Sequence, residues 1–480
     1  MKSTFLICFL LSAGFLWGQG FLESGNNSLE GVAEGSIAFS DVNGDSYPDL
    51  LITGKNLSLE PVTKLYLNDS TGQFTEVSGT PFDAVCFSSV AFADVNGDNF
   101  PDLLITGRNQ SFEHIAKLYM NDGTGQFSEV MGTPFEGIIE GAVAFSDVNG
   151  DTYPDLLLTG GNQFGQPVAK LYVNNGTGQF TENTNAPFVG VYFSSVAFAD
   201  INHDTYPDVL ITGQNSSSNP VMKLYTNNGT GNFTEMQGTS FGGIVKGSVA
   251  FSDVNGDTHT DLIFSGNNSE KVTELYTNDG LGHFTRMTGM PFEGVFESSI
   301  AVADVNGDDR KDLLISGSNS SINPVTKLYL SDSTGQFSEV WGTPFEDVSV
   351  SAVAFADINK DFLPDLIITG RNSSHIPITK LYVNDGTVSI KDHHQEIGKI
   401  HLYPNPVKNG KVKLNLNNIQ SQSVQISLLD INGKEILQQQ QGIIPGQQEL
   451  SLDLPTLVNG MYFVQVEAGE NRKVLRMLVD

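Results

Sequence analysis

Cysteine is almost absent from this chain: only Cys8 and Cys86 occur in 480 residues. Because Cys8 falls in the N-terminal leader described below, the mature chain keeps a single thiol and can form no internal disulfide. An exported protein without disulfides needs another means of stabilisation, and bound metal ions are the obvious candidate.

Basic residues are scarce as well. The chain has 25 Lys and Arg against 55 Asp and Glu, a formal net charge of −30 at pH 7. This excess would repel phosphate groups, which argues against nucleic acid and anionic membranes as partners. Its usual sources are a halophile-like surface or a set of metal-binding carboxylates, and the positions of the acids decide between them.

Long apolar segments are also missing. The apolar run at residues 5–17 follows Lys2, precedes Gly18-Gln19-Gly20 and is too short to span a bilayer. A positive residue, a short apolar run and small residues are the pattern of a secretory signal. We therefore predict a signal peptide at residues 1–20, no transmembrane segment, and export through the periplasm.

What the sequence has in abundance is repetition. A segment resembling SSVAFADVNGDNFPDLLITG, followed by KLY and NDGTGQF, recurs seven times. Its first Asp falls at positions 41, 94, 147, 200, 253, 304 and 357, at intervals of 53 residues with one of 51. Such regular intervals indicate a tandem architecture with one structural unit per period.

Each repeat contains four short β signals and no helical one. In the second repeat they cover residues 89–93, 103–106, 117–120 and 126–130. Leu103-Leu104-Ile105 is typical of a strand buried on both faces, and Asn121-Asp122-Gly123 predicts a tight turn. Four antiparallel strands repeated seven times predict an all-β fold, a seven-bladed β-propeller at residues 21–390.

The two ends of the repeat region complement each other. The seventh repeat stops after Asn384-Asp385-Gly386 and lacks its fourth strand. Phe21 lies 20 residues before Asp41, just as Phe74 lies 20 residues before Asp94. We predict that the segment beginning at Phe21 completes the last blade and closes the ring.

The turn between the first and second strands of each repeat is acidic. In the first copy it reads DVNGDSYPD from Asp41 to Asp49, and all seven copies keep Asp at positions 1, 5 and 9 and Asn at position 3. Position 7 varies, as expected if it offers only its backbone carbonyl. Oxygen ligands at alternating positions of a tight loop suit Ca²⁺. We predict up to seven Ca²⁺ ions, held by Asp41, Asn43, Asp45, Tyr47, Asp49, Asp94, Asn96, Asp98, Phe100, Asp102, Asp147, Asn149, Asp151, Tyr153, Asp155, Asp200, Asn202, Asp204, Tyr206, Asp208, Asp253, Asn255, Asp257, His259, Asp261, Asp304, Asn306, Asp308, Arg310, Asp312, Asp357, Asn359, Asp361, Leu363 and Asp365.

Two other readings of these loops are weaker. Asp, Asn and Gly favour turns without any metal, but turn chemistry alone would let Ser, Asn and Asp interchange among copies. An EF-hand needs Glu at position 12, where Ile52 stands within a predicted strand. Position 4 is Gly in five copies, which predicts a positive φ. Because His203 and Lys360 replace it, we expect sites four and seven to bind less tightly.

The DVNGDxxPDLL segment resembles the FG-GAP or VCBS repeat of integrin α-chain propellers, some fungal lectins and many bacterial surface proteins. The resemblance covers about residues 21–390 and implies both the propeller fold and calcium binding. It leaves the ligand open, because such propellers serve adhesion, sugar binding and occasionally polysaccharide cleavage.

The composition changes after a spacer at residues 391–399. Alternating or apolar runs at residues 411–416, 424–429, 449–454 and 461–466 predict a small immunoglobulin-like β-sandwich at residues 400–480. Tyr403-Pro404-Asn405-Pro406, DINGK at residues 430–434, NGMY at 459–462 and KVL at 473–475 resemble the type A sorting domain of the type IX secretion system in Bacteroidetes. The resemblance implies that this machinery is a partner and carries the protein to the cell surface or medium. An ordinary immunoglobulin-like module is the alternative.

The seven loops between the second and third strands differ most among the repeats. They should lie on the face opposite the acidic loops, at residues 55–61, 108–115, 161–167, 214–220, 267–271, 318–324 and 371–377. Loops on a rigid scaffold are common binding sites, although neutral drift of exposed turns would give the same variation. We predict adhesion or recognition of an extracellular glycan or protein. The aromatic candidates for sugar contact, or else for packing, are Phe112, Tyr192, Phe241 and Trp341.

Two further functions stay open. An extracellular enzyme such as a polysaccharide lyase would need one unique acid–base constellation, whereas His203 and His259 lie in acidic loops and His393-His394 in the spacer. Three basic residues that depart from the repeat, Lys246, Arg286 and Arg310, would have to build such a site. A purely structural surface or matrix component is the third possibility. We expect a binding protein and not an enzyme.

Overall fold

A computed structural model describes residues 20–386, except 26, 240 and 333, and residues 400–479, except 404, 408–409, 417–422, 430–434, 443–448, 459 and 469–470. The predicted spacer and the signal peptide up to residue 19 lie outside the described residues. The chain divides into two units, Met1–Ile390 and Lys391–Asp480. All regular structure in the described residues is β-strand. Within these residues, no helix has the length and apolar character needed to cross a membrane.

The first unit consists of seven four-stranded antiparallel sheets, which are the predicted blades. Their first strands are Ile37–Ser40, Cys86–Ala93, Ile138–Ser146, Tyr192–Ala199, Val245–Ser252, Phe296–Ala303 and Ser349–Ala356. Their second strands are Asp49–Lys55, Asp102–Arg108, Asp155–Asn162, Asp208–Gln214, Asp261–Asn267, Asp312–Ser318 and Asp365–Arg371. Their third strands are Pro61–Asn68, His114–Asn121, Pro167–Asn174, Pro220–Asn227, Lys271–Asn278, Pro324–Ser331 and Pro377–Asn384.

The fourth strand is short in every blade. In the first six blades it follows the third strand in the chain, at Phe74–Glu76, Phe127–Glu129, Phe180–Glu182, Phe233–Glu235, Phe284–Arg286 and Phe337–Glu339. In the seventh blade it is Phe21–Glu23, which pairs antiparallel with the third strand so that Phe21 faces Asn384. Phe21 is fully buried, and its ring centre lies 5.1 Å from that of Phe345. The predicted closure of the ring is confirmed.

The hydrophobic cores lie between successive blades, which explains the unbroken apolar second strands. In the second blade, Leu103 and Ile105 pack against the first blade beside Leu51, while Leu104 packs against the third blade beside Leu156. Successive side chains of a strand point to opposite faces, so a sheet covered on both sides needs apolar residues at every position. The prediction from Leu103-Leu104-Ile105 is therefore confirmed.

The second unit is a small sandwich of two antiparallel sheets. One sheet contains Ile400–Tyr403, Lys411–Leu416 and Glu449–Asp453, and the other contains Glu435–Gly442, Ser423–Leu429, Gly460–Ala468 and Asn471–Val479. Both sheets contribute to one core that includes Val412, Leu414, Ile426 and Val464. The four predicted strands are present. The sequence did not predict Glu435–Gly442, because this Gln-rich strand lies at a sheet edge and has little apolar signal.

Candidate metal loops and the channel mouth

Each acidic loop folds around the side chain of its first Asp. In the first loop, one carboxylate oxygen of Asp41 accepts hydrogen bonds from the backbone N–H groups of Gly44 and Asp45, and the other accepts from Ser46, at 2.6–3.1 Å. Asn43 Oδ1 accepts from the N–H of Asp45 at 2.9 Å. The oxygen-bearing side chains at positions 1 and 3 therefore point into one tight turn of backbone.

The Asp at position 9 is almost fully buried in all seven loops. Asp49 Oδ2 accepts a hydrogen bond from the N–H of Val42 at 3.0 Å, and its Oδ1 accepts from the N–H of Asn68 at 2.9 Å. Burial, helped by the charges of Asp45 and Asp41, raises the pKa of Asp49 to about 6 against the two backbone hydrogen bonds that lower it. Burial likewise raises the pKa to about 6 or 7 at Asp102, Asp155, Asp208, Asp261, Asp312 and Asp365.

The backbone is left-handed at positions 4 and 6. At position 4, φ is 74–80° at the five glycines and 60° at His203 and Lys360, as the sequence predicts. Position 6 was not predicted, because no glycine or other common property marks it. Its N–H donates to the second oxygen of the first Asp, which holds φ between 64° and 76° at Ser46, Asn99, Thr152, Thr205, Thr258, Asp309 and Phe362.

Where position 4 carries a side chain, that side chain contacts a neighbouring loop. His203 Nε2 lies 2.6 Å from Nδ1 of His259, which joins loops four and five. Lys360 Nζ lies 3.9 Å from the centre of the Tyr47 ring, which joins loops seven and one. These two loops therefore differ from the others in contacts as well as in backbone strain.

The side chain at position 7 makes contacts in several loops, although its variation in sequence suggested that it was unconstrained. The Phe100 ring covers the glycine of the adjacent hairpin so closely that a Cβ on Gly123 would come within 2.5 Å of it. Arg310, at the same position of the sixth loop, binds Asp308 at 2.8 Å, and Asp308 is the position-5 carboxylate of that loop. Loop six therefore shares a predicted metal ligand with a guanidinium group.

The donor set of each loop fits a hard cation, although no metal centre is preformed. Within the part of the chain that is described, no three His, Cys, Asp or Glu side chains converge as a metal site. The loops nevertheless place carboxylate or amide oxygens at positions 1, 3, 5 and 9, and the charged form of the carboxylate at position 9 is disfavoured by burial first and by its acidic neighbours second. A cation with a preference for oxygen would relieve that repulsion.

A buried residue that the sequence analysis missed links each loop to the next blade. Asn121, at the end of a third strand, donates from Nδ2 to the carbonyl oxygen of Val42 in the preceding loop at 2.9 Å, and from its backbone N–H to Asp102 of its own loop. We call this pair of bonds the asparagine clasp. It is repeated by Asn68, Asn174, Asn227, Asn278 and Asn384.

The sixth blade breaks this pattern. Ser331 replaces the asparagine, and its buried Oγ has no hydrogen-bond partner. Its backbone N–H still donates to Asp312 at 3.0 Å. A serine is too short to reach the preceding loop, so the junction between blades five and six lacks the side-chain bond that the other six junctions have. The repeated Asn after KLY was the sequence signal for this contact.

The loops between the second and third strands share a left-handed residue at the tip, although the fifth loop is two residues shorter than the others, and their side chains differ. Their tips have φ between 60° and 77°, at Leu59, Phe112, Gly165, Ser218, Ser269, Ile322 and His375. Several of these loops carry large apolar side chains that are 43–82% exposed, namely Leu57, Leu59, Phe112, Phe164, Ile322 and Ile376. The face opposite the acidic loops is therefore chemically diverse.

The mouth of a central channel opens on this diverse face. The first strands of successive blades contact one another around an axis, and in blades two to seven each contains a β-bulge, such as the one between Cys86 and Ser89. A bulge re-aims a side chain. One residue per blade, with φ of 50–58°, lines a cavity of about 430 Å³, and we call Glu34, Phe87, Glu140, Phe193, Lys246, Glu297 and Val350 the mouth ring.

Comparison with known sequences identifies the repeat. Residues 41–105, 94–158, 147–211, 207–264, 253–315 and 304–368 match the sequence model of the FG-GAP-like repeat. These stretches span residues 41–368, more than half of the chain. The chain belongs to the FG-GAP-like repeat family.

The second unit is identified in the same way. Residues 401–480 match the secretion system C-terminal sorting domain, so this FG-GAP-like protein is one that is exported to the cell surface or secreted. The predicted sorting domain is confirmed, although its DINGK segment lies outside the described residues. No curated protein matches the chain.

Solved structures resemble the FG-GAP-like chain only distantly. A mutant of the Aleuria aurantia lectin in complex with α-methyl-L-fucoside is 11% identical, with a TM-score of 0.39, over 66% of this chain and 97% of the lectin. The Trypanosoma rangeli sialidase is 10% identical, with a TM-score of 0.37, over 95% of this chain and 86% of the sialidase. The extracellular domain of a putative hybrid two-component system from B. thetaiotaomicron is 11% identical, with a TM-score of 0.43. The match covers 96% of this chain and 59% of that domain. None of these similarities bears on the function of this chain.

The aromatic candidates occupy different places in the FG-GAP-like propeller. Phe112 lies on an exposed loop tip, and Trp341 is half exposed on a link between blades. The Tyr192 ring lies 4.9 Å from that of Phe193 in the mouth ring. Phe241 packs against Tyr276 and is a core residue.

The basic candidates do not form one site. Lys246 belongs to the mouth ring, Arg310 belongs to the sixth acidic loop, and Arg286 binds Glu274 at 2.7 Å on a fourth strand. The histidines of the spacer lie outside the described residues. The structure therefore does not bring the three basic departures from the repeat together.

Proposed function

We propose that this exported propeller binds Ca²⁺ in its acidic loops and recognises an extracellular glycan or protein through the opposite face. The observation that supports this most is the contrast between the two faces. On one face seven loops repeat the same oxygen donors, and on the other seven loops with the same left-handed tip carry different side chains. Residues that a fold does not dictate, placed on a rigid scaffold, are available for recognition.

The calcium sites would use the same positions in every loop. In the first loop the ligands would be the side chains of Asp41, Asn43, Asp45 and Asp49 and the carbonyl oxygen of Tyr47. Bound Ca²⁺ would supply the positive charge that offsets the repulsion between these carboxylates. Because the asparagine clasp ties six of the seven loops to the next blade, an ordered loop would also hold two blades together.

The apolar loop tips support a recognition surface. Single exposed apolar side chains are ordinary on protein surfaces. Here, however, Leu59, Phe112 and Ile322 occupy the equivalent tip position of three blades, all on one face. A ring of related loops lets several weak contacts add through avidity, which suits adhesion to a repetitive surface such as a polysaccharide.

Binding is favoured over catalysis by the state of the charged groups in the mouth ring. Glu34 lies 2.7 Å from Lys55 and 2.5 Å from Arg371, and Glu297 lies 2.9 Å from Lys246. Residues paired in this way are poorly placed to act as an acid–base couple, and Glu140, the one carboxylate of the ring without an ion pair among the described residues, has no second unpaired charged group in the ring to complete one. A polysaccharide lyase remains the second candidate, and depolymerisation of a polysaccharide by the purified protein would establish it.

The proposed function is tested with the full-length exported protein on an array of defined glycans and on immobilised extracellular proteins. We expect specific binding in Ca²⁺, weaker binding after stripping with EGTA, and weaker binding when Leu59, Phe112 and Ile322 are all changed to Ser. Recovery of binding on return of Ca²⁺ is the control. An absence of binding to every glycan and protein would contradict the recognition role and favour a structural component.

A further inference from the structure

The mouth ring is the place where the seven blades contribute their most dissimilar side chains. Going around the channel, it has Glu, Phe, Glu, Phe, Lys, Glu and Val, whereas the next residue of each blade is always Gly or Ser. The small residues are dictated by the fold: a Cβ on Gly141 would lie 1.8 Å from the carbonyl oxygen of Thr159. The fold imposes no such limit on the side chains of the mouth ring itself.

Most polar side chains around the mouth already have an ionic or hydrogen-bonding partner within the protein. Besides the ion pairs of Glu34 and Glu297, four serine hydroxyls next to the ring are bonded to neighbouring blades at 2.8–2.9 Å. These are the pairs Ser88–Thr53, Ser194–Thr159, Ser298–Ser265 and Ser351–Ser316. They hold the walls of the channel together and leave few groups free to meet a ligand.

Glu140 is the exception. It is half-buried, and no hydrogen bond or ion pair to its carboxylate is found among the described residues. Burial raises its pKa, and the cationic groups of Lys246 and Arg108 lower it only in part. A carboxylate that has lost part of its hydration without gaining a partner is an acceptor that a ligand can satisfy.

Two aromatic rings flank this carboxylate in the mouth ring. Phe87 has Lys55 and Arg108 each 4.8 Å from its ring centre. Phe193 has one cation against its ring among the described residues, Lys246 at 5.0 Å, and the Tyr192 ring lies 4.9 Å away, which extends the aromatic surface next to Glu140. An unpaired acceptor beside an apolar ring is suited to a molecule that has hydroxyl groups on its edge and an apolar face.

We propose that the channel mouth binds one uncharged sugar unit, which donates hydroxyl hydrogen bonds to Glu140 and packs its apolar face on Phe193. The cavity of about 430 Å³ lies within the usual range for small-molecule sites. We expect uncharged sugars to be preferred, because an acidic sugar seated on Glu140 would bring two carboxylates together. The proposal rests on the glycan-recognition part of the proposed function and gives it a location and a selectivity.

The test begins with full-length protein in Ca²⁺ on an array that contains neutral glycans, uronic-acid glycans and sialylated glycans. We expect binding to neutral glycans only. The strongest neutral hit is then titrated against Glu140→Gln, Phe193→Leu and the control Leu22→Ala, an exposed apolar residue on the outermost strand of the seventh blade. Loss of a hydrogen bond to a charged group predicts affinity weakened about tenfold or more for Glu140→Gln, with Leu22→Ala within about twofold of the wild type.

The possible outcomes separate this site from the broader function. If the wild type binds a neutral glycan but the two mouth variants bind equally well, the mouth is not the site and recognition by the loop tips remains. Binding restricted to acidic glycans also overturns the mouth site, and no binding to any glycan overturns both it and glycan recognition. Each variant is checked by its melting temperature in Ca²⁺. Glu140→Asn, which tolerates the left-handed backbone better, replaces Glu140→Gln if that variant is less stable.

Discussion

The two faces of the propeller are built from the same blades but are constrained differently. On the acidic face, the side chains of Asp41, Asn43 and Asp49 bind backbone N–H groups of the loop itself, so each copy needs the same residues. On the opposite face, the tips keep their backbone angles with Leu59 in one blade and His375 in another. Sequence variation within this chain therefore marks where the backbone does not depend on the side chain.

Removing calcium should have the largest effect and should separate the two faces most clearly. Each site occupied at 100 times its Kd contributes about 2.7 kcal/mol to the stability of the folded state, and several sites add. We expect a large fall in the melting temperature on treatment with EGTA, reversed by Ca²⁺, measured by circular dichroism.

The matched control for this experiment alters the other face. The triple variant Leu59→Ser, Phe112→Ser, Ile322→Ser should keep the melting temperature of the wild type and the same response to EGTA, because exposed side chains contribute little to stability. An unchanged wild-type melting curve in EGTA would contradict the role of the acidic face in stability. A tip variant that lost its response to Ca²⁺ would contradict the independence of the two faces.

Ring closure should have the next largest effect. Phe21 is fully buried against Phe345, whereas Leu22, the next residue of the same strand, is 57% exposed. Phe21→Ala should lower the free energy of unfolding by about 3–5 kcal/mol, and Leu22→Ala by less than about 0.5 kcal/mol. Urea unfolding of both variants measures the difference, and equal stabilities would show that the N-terminal strand does not secure the ring.

The fold was predictable because a repeat presents the same evidence seven times. The unbroken Leu103-Leu104-Ile105 pattern and the position of Phe21 were enough for the blade order and the closure. The mouth ring was not predictable, because it depends on a bulge that places Glu140 and Phe193 around one axis although they are 53 residues apart. Nothing local in the sequence distinguishes these residues from others in a first strand.

The asparagine clasp offers a comparison between junctions on the acidic face. Asn121→Ala removes the donor to the Val42 carbonyl and leaves that buried acceptor unpaired, which should cost about 1–3 kcal/mol. Ser331→Ala, at the equivalent position of the sixth blade, should be nearly neutral, because the serine hydroxyl has no partner to lose. Urea unfolding of both variants in Ca²⁺ tests the contrast.

Introducing the missing asparagine in the sixth blade tests the same contact in the opposite direction. Ser331→Asn should form the missing bond to the preceding loop and stabilise the protein by about 1 kcal/mol. If Ser331→Ala were as destabilising as Asn121→Ala, the clasp would not be the contact that distinguishes these junctions.

The smallest expected effect concerns the differences among the acidic loops themselves. Lys360 holds φ at 60° and brings a positive charge to the seventh loop, whereas Gly97 serves the same position in the second loop. The cost of the left-handed backbone is present with or without metal, but the positive charge of Lys360 opposes Ca²⁺, so Lys360→Gly should tighten Ca²⁺ binding at one site by about fivefold, and Gly97→Lys should weaken one site by a similar factor. The loss of the contact between Lys360 and Tyr47 removes about 0.5–1 kcal/mol from the folded state with or without metal, and therefore does not cancel the gain in affinity. Calorimetric titration of the two variants beside the wild type measures both changes. If the Ca²⁺ affinity were unchanged in both variants, the residue at position 4 would not determine which loops bind Ca²⁺ more tightly.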